Sequence, residues 1–90
     1  MGNIRKGVLT LKKVLVYTKN GCPKCDMTKN VLNGEGIEFD SINIEDETDE
    51  GREGLHFVTK VLERTEMPVL MLDGEFQFTG FHPNKLKAFK

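Results

Sequence analysis

The sequence lacks three features that would each point to a familiar class of protein. No stretch of its 90 residues is apolar over the ~20 positions that a transmembrane helix needs. The 13 basic and 14 acidic side chains nearly cancel, so the chain has no basic footprint for nucleic acid. Cysteine is scarce, at two residues. We expect one globular domain that binds neither nucleic acid nor membrane and is too short for a second core.

The start of the chain lacks the pattern of a secretory signal. Residues 1–6 are basic, but the apolar stretch at residues 7–11 is short and no small-residue cleavage site follows it. Two cysteines three positions apart, without an export signal, favour a reducing compartment and a reactive pair over a structural disulfide. The sequence therefore predicts a cytoplasmic protein.

Ligands for a metal are also too few. Zinc takes four Cys or His ligands at characteristic spacings. The chain has no second C-x-x-C pair, and its two histidines, His56 and His82, are far apart in the sequence. We expect no bound metal and no prosthetic group. We interpret His56 as a surface residue, whereas for His82 a structural role and a partner contact stay equally open.

Hydrophobic periodicity divides the first half of the chain into strand, helix and strand. Residues 13–18 form an apolar strand pattern, residues 23–33 have a helical one, and residues 37–44 alternate as a strand does. The predicted apolar stripe of the first helix consists of Met27, Val31 and Leu32.

The sequence of the second half of the chain predicts a helix, a hairpin and a terminal helix. Residues 45–50 hold five carboxylates, which we interpret as a helix N-terminus capped by Thr48 or Asp49 rather than as a partner-binding patch. The second helix is expected over residues 49–63. Its predicted buried stripe is Leu55, Val58, Val61 and Leu62.

A hairpin and a last helix complete the pattern. Residues 68–72 are a continuous apolar run, Asp73-Gly74 is a strong hairpin turn, and residues 75–79 alternate as the return strand. Pro83 opens a short helix whose Leu86 and Phe89 face the core. The predicted order is βαβαββα, an α/β domain over residues 13–90 preceded by an N-terminal tail, residues 1–12.

The two cysteines fall where sulfur chemistry is favoured. Cys22 lies at the predicted N-terminus of the first helix, with Pro23 at the first helical position, and Cys25 follows on the same face. The unpaired amides and the dipole of the helix stabilise a thiolate at Cys22, and Lys19 and Lys24 add positive charge. We therefore expect Cys22 to be the attacking nucleophile and Cys25 to resolve the mixed disulfide.

Three local motifs resemble those of the thioredoxin fold, and specifically its short glutaredoxin branch. Residues 17–25, Tyr-Thr-Lys-Asn-Gly-Cys-Pro-Lys-Cys, look like the glutaredoxin signature. Residues 66–69, Glu-Met-Pro-Val, look like the segment that carries the cis-proline of that fold. Residues 78–86 are similar to the Ser-Gly-Phe-Arg-Pro stretch of NrdH-like redoxins. The resemblance implies a four-stranded mixed sheet flanked by three helices.

The third motif separates two subfamilies. Glutathione-dependent glutaredoxins usually carry a Gly-Gly pair and then an acidic pair before the last helix, whereas residues 80–85 here contain one glycine and no carboxylate. NrdH-like redoxins lack those acidic residues, accept electrons from thioredoxin reductase and reduce class Ib ribonucleotide reductase. Two features depart from the NrdH-like pattern. Pro23-Lys24 is closer to the glutaredoxin form, and His82 stands where NrdH-like redoxins tend to have arginine.

The resemblance implies a monomeric thiol–disulfide oxidoreductase that passes electrons to protein disulfides, with ribonucleotide reductase as one candidate target. It also implies that Met67-Pro68 is cis and lies against the cysteine pair, with the Met67 backbone free to pair with an extended substrate. Gly80 and Phe81 are the further substrate-binding candidates. The electrons come from thioredoxin reductase and NADPH or, in the alternative, from glutathione. A second alternative is a peptide-binding module of the same fold that does not turn over.

Overall fold

The structure, a computed structural model, describes residues 13–90; the predicted tail, residues 1–12, lies outside the described residues. The described elements follow the predicted order βαβαββα. They are β1 (Val14–Thr18), α1 (Pro23–Gly34), β2 (Phe39–Asn43), α2 (Asp49–His56) with a π-helical continuation (Phe57–Val61), β3 (Val69–Leu72), β4 (Glu75–Thr79) and α3 (Pro83–Lys87).

The four strands form one mixed sheet in the order β2-β1-β3-β4. β1 and β2 run parallel, with Val14 opposite Phe39, because α1 carries the chain back across the sheet between them. β3 pairs antiparallel with β1, and β4 antiparallel with β3 across the Asp73-Gly74 turn. The predicted mixed sheet and hairpin are confirmed.

Alternation along the strands buries apolar side chains on both faces of the sheet. Successive residues of β1 face opposite ways: Val14 and Val16 belong to one cluster, Leu15 and Tyr17 to the other. The first cluster lies on the α2 side and contains Tyr17, Cys22, Cys25, Ile44, Val58, Met67, Val69 and Met71. The second lies on the side of α1 and α3 and contains Val14, Val16, Leu32, Leu70, Phe78, Leu86 and Phe89. Leu86 and Phe89 face the core as predicted.

The return strand departs from simple alternation. The register steps from Leu70 opposite Phe78 to Met71 opposite Phe76, so Gln77 is an extra residue in β4. A bulge of this kind reverses which face the following side chains occupy. Phe76 therefore packs against the first cluster and Phe78 belongs to the second, although an alternating pattern would place both rings on one face.

Two helices bury only part of their predicted stripes. In α1 the buried side chains are Cys25, Thr28 and Leu32, whereas Met27 is 42% exposed. Of the predicted stripe, Leu32 is buried and Val31 packs against the second cluster, whereas Cys25 and Thr28 take the place of Met27 on the inward face.

The predicted stripe of α2 is wrong at Leu55 and Val61, which are 44% and 60% exposed. Val58 is buried and Leu62 packs against the first cluster, as predicted, and the rest of the face that packs on the sheet consists of Gly51 and Gly54. The π-helical continuation, in which Leu62 N–H donates to Phe57 O at 2.9 Å, adds a residue to the turn and rotates Val61 outward.

Glycine lets α2 lie close to the end of β2. A Cβ on Gly51 would collide with the Asp46 carbonyl oxygen and come within 2.9 Å of Asn43 O, and one on Gly54 would stand 3.1 Å from the Tyr17 ring. The helix starts at its predicted cap, where Thr48 Oγ1 accepts from Gly51 N–H at 3.0 Å. The two glycines weaken the helix locally, by ~1 kcal/mol each relative to alanine, but allow this close approach.

We expect Gly51→Ala to destabilise the protein by about 1–3 kcal/mol in urea unfolding, because the backbone atoms that a Cβ meets cannot move aside cheaply. Gly34→Ala is the control. Its Cβ meets nothing within 4 Å, so the change should be neutral or stabilising by up to about 1 kcal/mol. Equal stability of the two variants would contradict the close approach at Gly51.

Candidate active site

The cysteine pair begins α1, directly after the loop that leaves β1. Cys22 is the N-cap residue, in an extended conformation, and Pro23 is the first helical residue. The Cys22 Sγ accepts the backbone N–H of Cys25 at 3.2 Å. Cys22 and Cys25 are joined as a disulfide, with their Cα atoms 5.3 Å apart. The predicted placement of the pair at a helix N-terminus is confirmed.

The two sulfurs differ in their access to solvent. Cys22 is 8% exposed and Cys25 2% exposed, and both belong to the cluster that contains Tyr17 and Met67. Burial in that cluster raises the pKa of the Tyr17 phenol above its ordinary value. Cys22 is the cysteine that an incoming group reaches more easily.

Side-chain hydrogen bonds hold the loop before Cys22 to the end of β2. The Asn43 amide donates to Asn20 Oδ1 at 2.7 Å, and Asn20 N–H donates to Glu45 Oε1 at 2.9 Å. Asn43 Oδ1 in turn accepts from Glu45 N–H at 2.8 Å. Since β1 and β2 are parallel, their carboxyl ends meet at one edge of the sheet, and these bonds fix where the chain enters α1. Hydrophobic periodicity carries no signal for these hydrogen bonds.

The segment before β3 faces the cysteines. The Met67–Pro68 peptide bond is cis, as predicted, and Met67 lies in the same cluster as both cysteines. Pro68 is fully buried, and its carbonyl oxygen accepts the Gly80 N–H at 2.9 Å. Gly80 has a positive φ of 85°. The fold thus brings together the predicted substrate residues Met67, Pro68 and Gly80 from the two ends of the β3–β4 hairpin.

A residue that the sequence did not single out, Glu66, connects the two sides of this site. Its Oε1 accepts from Thr79 Oγ1 at 2.8 Å, and its Oε2 lies 3.5 Å from Lys24 Nζ. The carboxylate stands directly over Gly80, where a Cβ would come within 2.9 Å of Oε2. The only sequence signal was its position next to Met67.

The remaining predicted residues have different surroundings. Lys24 is half-exposed and is paired with Glu66, so part of its charge is offset by that carboxylate. Lys19 is exposed, in the loop before Cys22. Phe81 is half-buried and packs against the second cluster. His82 precedes α3, and its ring meets the Phe78 ring edge-on at 5.3 Å.

The Thr79 hydroxyl sets the ionisation of Glu66. Its hydrogen bond is the largest effect and lowers the pKa of the Glu66 carboxyl below the ordinary value of 4.5. Desolvation, the next largest effect, opposes it, and the nearby Lys24 and His82 lower the pKa further. Glu66 is therefore an anion at neutral pH.

Within residues 13–90, no group of three or more His, Cys, Asp or Glu side chains is arranged to hold a metal ion. Over the same residues, the structure has no helix of sufficient length and hydropathy to cross a membrane.

Comparison with known proteins decides the family. The glutaredoxin family model matches residues 14–77. The chain belongs to the glutaredoxin family. Among its relatives in that family, the glutaredoxin-like protein NrdH of Lactococcus lactis subsp. lactis is 40% identical over 75 residues, which cover 81% of this chain and 93% of the relative.

Solved structures of glutaredoxin-like proteins share the fold. The NrdH-redoxin from Escherichia coli superposes with a TM-score of 0.68 at 27% identity, over 87% of this chain and 95% of that one. Glutaredoxin from Archaeoglobus fulgidus gives a TM-score of 0.70 at 26% identity, over 97% of each chain. The predicted thioredoxin fold is confirmed, and so is the resemblance to NrdH-like redoxins.

With its C-x-x-C pair in place, this member of the glutaredoxin family is a thiol–disulfide oxidoreductase. The alternative of a peptide-binding module without turnover is set aside, since a pure binding module needs neither cysteine.

We expect an NMR titration to place the folded-state pKa of Glu66 below 4.5. The stabilisation that accompanies a lowered pKa is present above the unfolded pKa and is lost as the pH falls through the folded one. Thr79→Val should raise the Glu66 pKa, since it removes the hydroxyl that lowers it most, whereas Thr79→Ser keeps a hydroxyl and should change it little. An unchanged pKa in Thr79→Val would contradict this role of Thr79.

Proposed function

We propose that this chain is a dithiol electron donor to protein disulfides, in which Cys22 attacks and Cys25 resolves, and that thioredoxin reductase with NADPH regenerates the dithiol. Ribonucleotide reductase is the target class that the NrdH-like resemblance favours. The observation that carries the proposal is the position of Cys22 as the N-cap of α1, where its sulfur already accepts the Cys25 amide.

This position suits a thiolate. When the disulfide is reduced, the Cys25 N–H donates to the Cys22 sulfur, and the other free amides of the first turn face the same charge. Both favour the ionised form of the Cys22 thiol. Lys19 and Lys24 add positive charge, Lys24 with less effect because Glu66 pairs with it.

The reaction moves two electrons in two exchanges. The Cys22 thiolate attacks one sulfur of the target disulfide, forms a mixed disulfide and releases the other target sulfur as a thiolate, which takes a proton. The Cys25 thiol then loses its proton and attacks Cys22. The bond between Cys22 and the target breaks, the second target thiolate is protonated, and the Cys22–Cys25 disulfide remains.

The surface for the target is formed by Met67, Pro68, Gly80 and Phe81. Met67 precedes β3 and so lies outside the paired sheet, next to the cysteine cluster. Its N–H and C=O are placed to pair with an extended segment of the target, as in strand addition to a sheet edge. Gly80, bonded to the Pro68 carbonyl, leaves room for the Glu66 carboxylate beside that segment, and Phe81 follows it in the chain.

Alkylation tests the assignment of the two cysteines. In the reduced protein, iodoacetamide should label Cys22 well before Cys25 and at a pH well below the pKa of a free cysteine. Mass spectrometry of the peptides gives the order of labelling, and Cys25→Ser serves as the control in which Cys22 has no partner. Faster labelling of Cys25 would reverse the two roles.

The choice of reductant depends on the loop before α3. Residues 80–85 contain no carboxylate, so the groups expected to hold the ammonium end of glutathione are missing from that loop. In addition, the structure of the Escherichia coli NrdH-redoxin was described as the basis for a thioredoxin-like activity profile. Both points favour thioredoxin reductase.

Glutathione is the second candidate reductant, and one observation favours it. Glu66 brings a carboxylate over Gly80 from another segment of the chain, where it is available to an ammonium group. Its pairing with Lys24 and Thr79 opposes such a role, because an incoming ammonium has to compete with them.

Two NADPH-coupled assays, run side by side, test the choice of reductant. Thioredoxin reductase should reduce the Cys22–Cys25 disulfide at least about tenfold more efficiently than glutathione with glutathione reductase, since a charge-assisted hydrogen bond contributes roughly 1.5–3 kcal/mol. Cys22→Ser gives the background of each assay. Rapid turnover with glutathione alone would place this chain among the glutathione-dependent glutaredoxins.

We further propose that the protein acts in the cytoplasm and as a monomer. A reactive cysteine pair operates as a donor where the surroundings keep thiols reduced. A free sulfur at the N-terminus of α1 also has to be open to a partner, which a monomer allows.

A further inference from the structure

We propose that Glu66 is a specificity-determining residue that favours target disulfides flanked by a positively charged group and disfavours those flanked by a carboxylate. The inference rests on the proposed function, since it concerns the same Cys22 exchange reaction. It assigns to Glu66 the recognition of an ammonium or guanidinium group on the incoming chain.

The position of Glu66 supports this role. Glu66 immediately precedes Met67, the residue proposed to pair with the backbone of the target, and its carboxylate stands over Gly80, another residue proposed to contact the target. A target segment that lies along Met67 therefore passes within reach of the carboxylate. The Thr79 hydroxyl, at 2.8 Å from Oε1, keeps the group in this place.

The charge and exposure of the Glu66 side chain also support this role. The Glu66 side chain is 54% exposed, so its carboxylate is open to an incoming group. Two hydrogen bonds, from Thr79 and Lys24, occupy part of its acceptor capacity of about four lone-pair sites. The contact with Lys24 is long, at 3.5 Å, and exposed ion pairs of this kind are weak, so a positive group of the target can take the place of Lys24.

A purely structural role for Glu66 predicts a different pattern of rates across substrates. If the carboxylate only linked Lys24 of α1 to Thr79 of β4, its loss would loosen the site for every substrate alike. A specificity role changes the ratio between substrates of opposite charge. The experiment therefore compares substrates within each variant.

The test uses pre-reduced full-length protein and three small disulfides of similar size: cystamine, which is cationic, bis(2-hydroxyethyl) disulfide, which is neutral, and dithiodiglycolate, which is anionic. The second-order rate constant of each is measured from the loss of protein thiols at low salt. In Glu66→Gln, the rate constant for cystamine divided by that for the neutral disulfide should fall by about two- to fivefold. The rate constant for dithiodiglycolate divided by that for the neutral disulfide should rise by a similar factor.

Three controls accompany the variant. Glu38→Gln removes an exposed carboxylate just before β2, at the opposite edge of the sheet from Cys22, and should leave both ratios unchanged. Lys24→Gln removes the competing cation and should shift both ratios in the opposite direction. Raising the salt to about 0.5 M should reduce the differences for the protein with Glu66, because exposed charges are then screened within a few ångströms.

The outcomes separate the two proposals. Ratios in Glu66→Gln equal to those of the parent protein would overturn the specificity role, whether or not all three constants fall together. Failure of the parent protein to reduce even the neutral disulfide would instead overturn the proposed donor function. If the ratios shift in Glu66→Gln and the neutral disulfide is still reduced, both the specificity role and the donor function are supported.

Discussion

The hydrogen bond from the Cys25 amide to the Cys22 sulfur joins the fold of this protein to its chemistry. It exists because α1 begins at Cys22, and α1 begins there because Pro23 fits the first helical position and the Asn20–Asn43–Glu45 bonds deliver the chain to that point. The sheet supplies the rest, since the parallel pairing of β1 and β2 brings both loops to one edge. A thiolate at Cys22 thus uses donors that the backbone already holds in place.

The surroundings of the disulfide come from three distant segments. α1 provides both cysteines, the cis-proline segment provides Met67 and Pro68, and the end of β4 provides Thr79 and Gly80. Glu66 is the contact that spans them, because it bonds to Thr79, lies near Lys24 and covers Gly80. Charge around the site is therefore mixed: Lys19 from the loop before Cys22 and Lys24 from α1 are positive, and Glu66 beside the proline is negative.

Much of this arrangement could be predicted from the sequence, because local patterns determine it. Element order, the Asp73-Gly74 hairpin, the Thr48 cap and the position of Cys22 at a helix start all depend on neighbouring residues. The errors at Leu55 and Val61 have another origin, since the packing face of α2 is set by which positions lack a side chain and by a π-helical turn that no periodicity reveals. Glu66 was missed for a related reason: its three contacts lie at sequence distances of 42, 13 and 14 residues, which only the folded chain brings together.

The bulge at Gln77 also protects the protein from self-association. β4 is an outer strand, and an outer strand with free backbone groups is a template on which another copy of the chain can add a strand. An extra residue interrupts the regular spacing of those groups and twists the strand, and the neighbouring Glu75 and Gln77 are exposed and polar. The bulge thereby makes the outer β4 strand a poor template for aggregation.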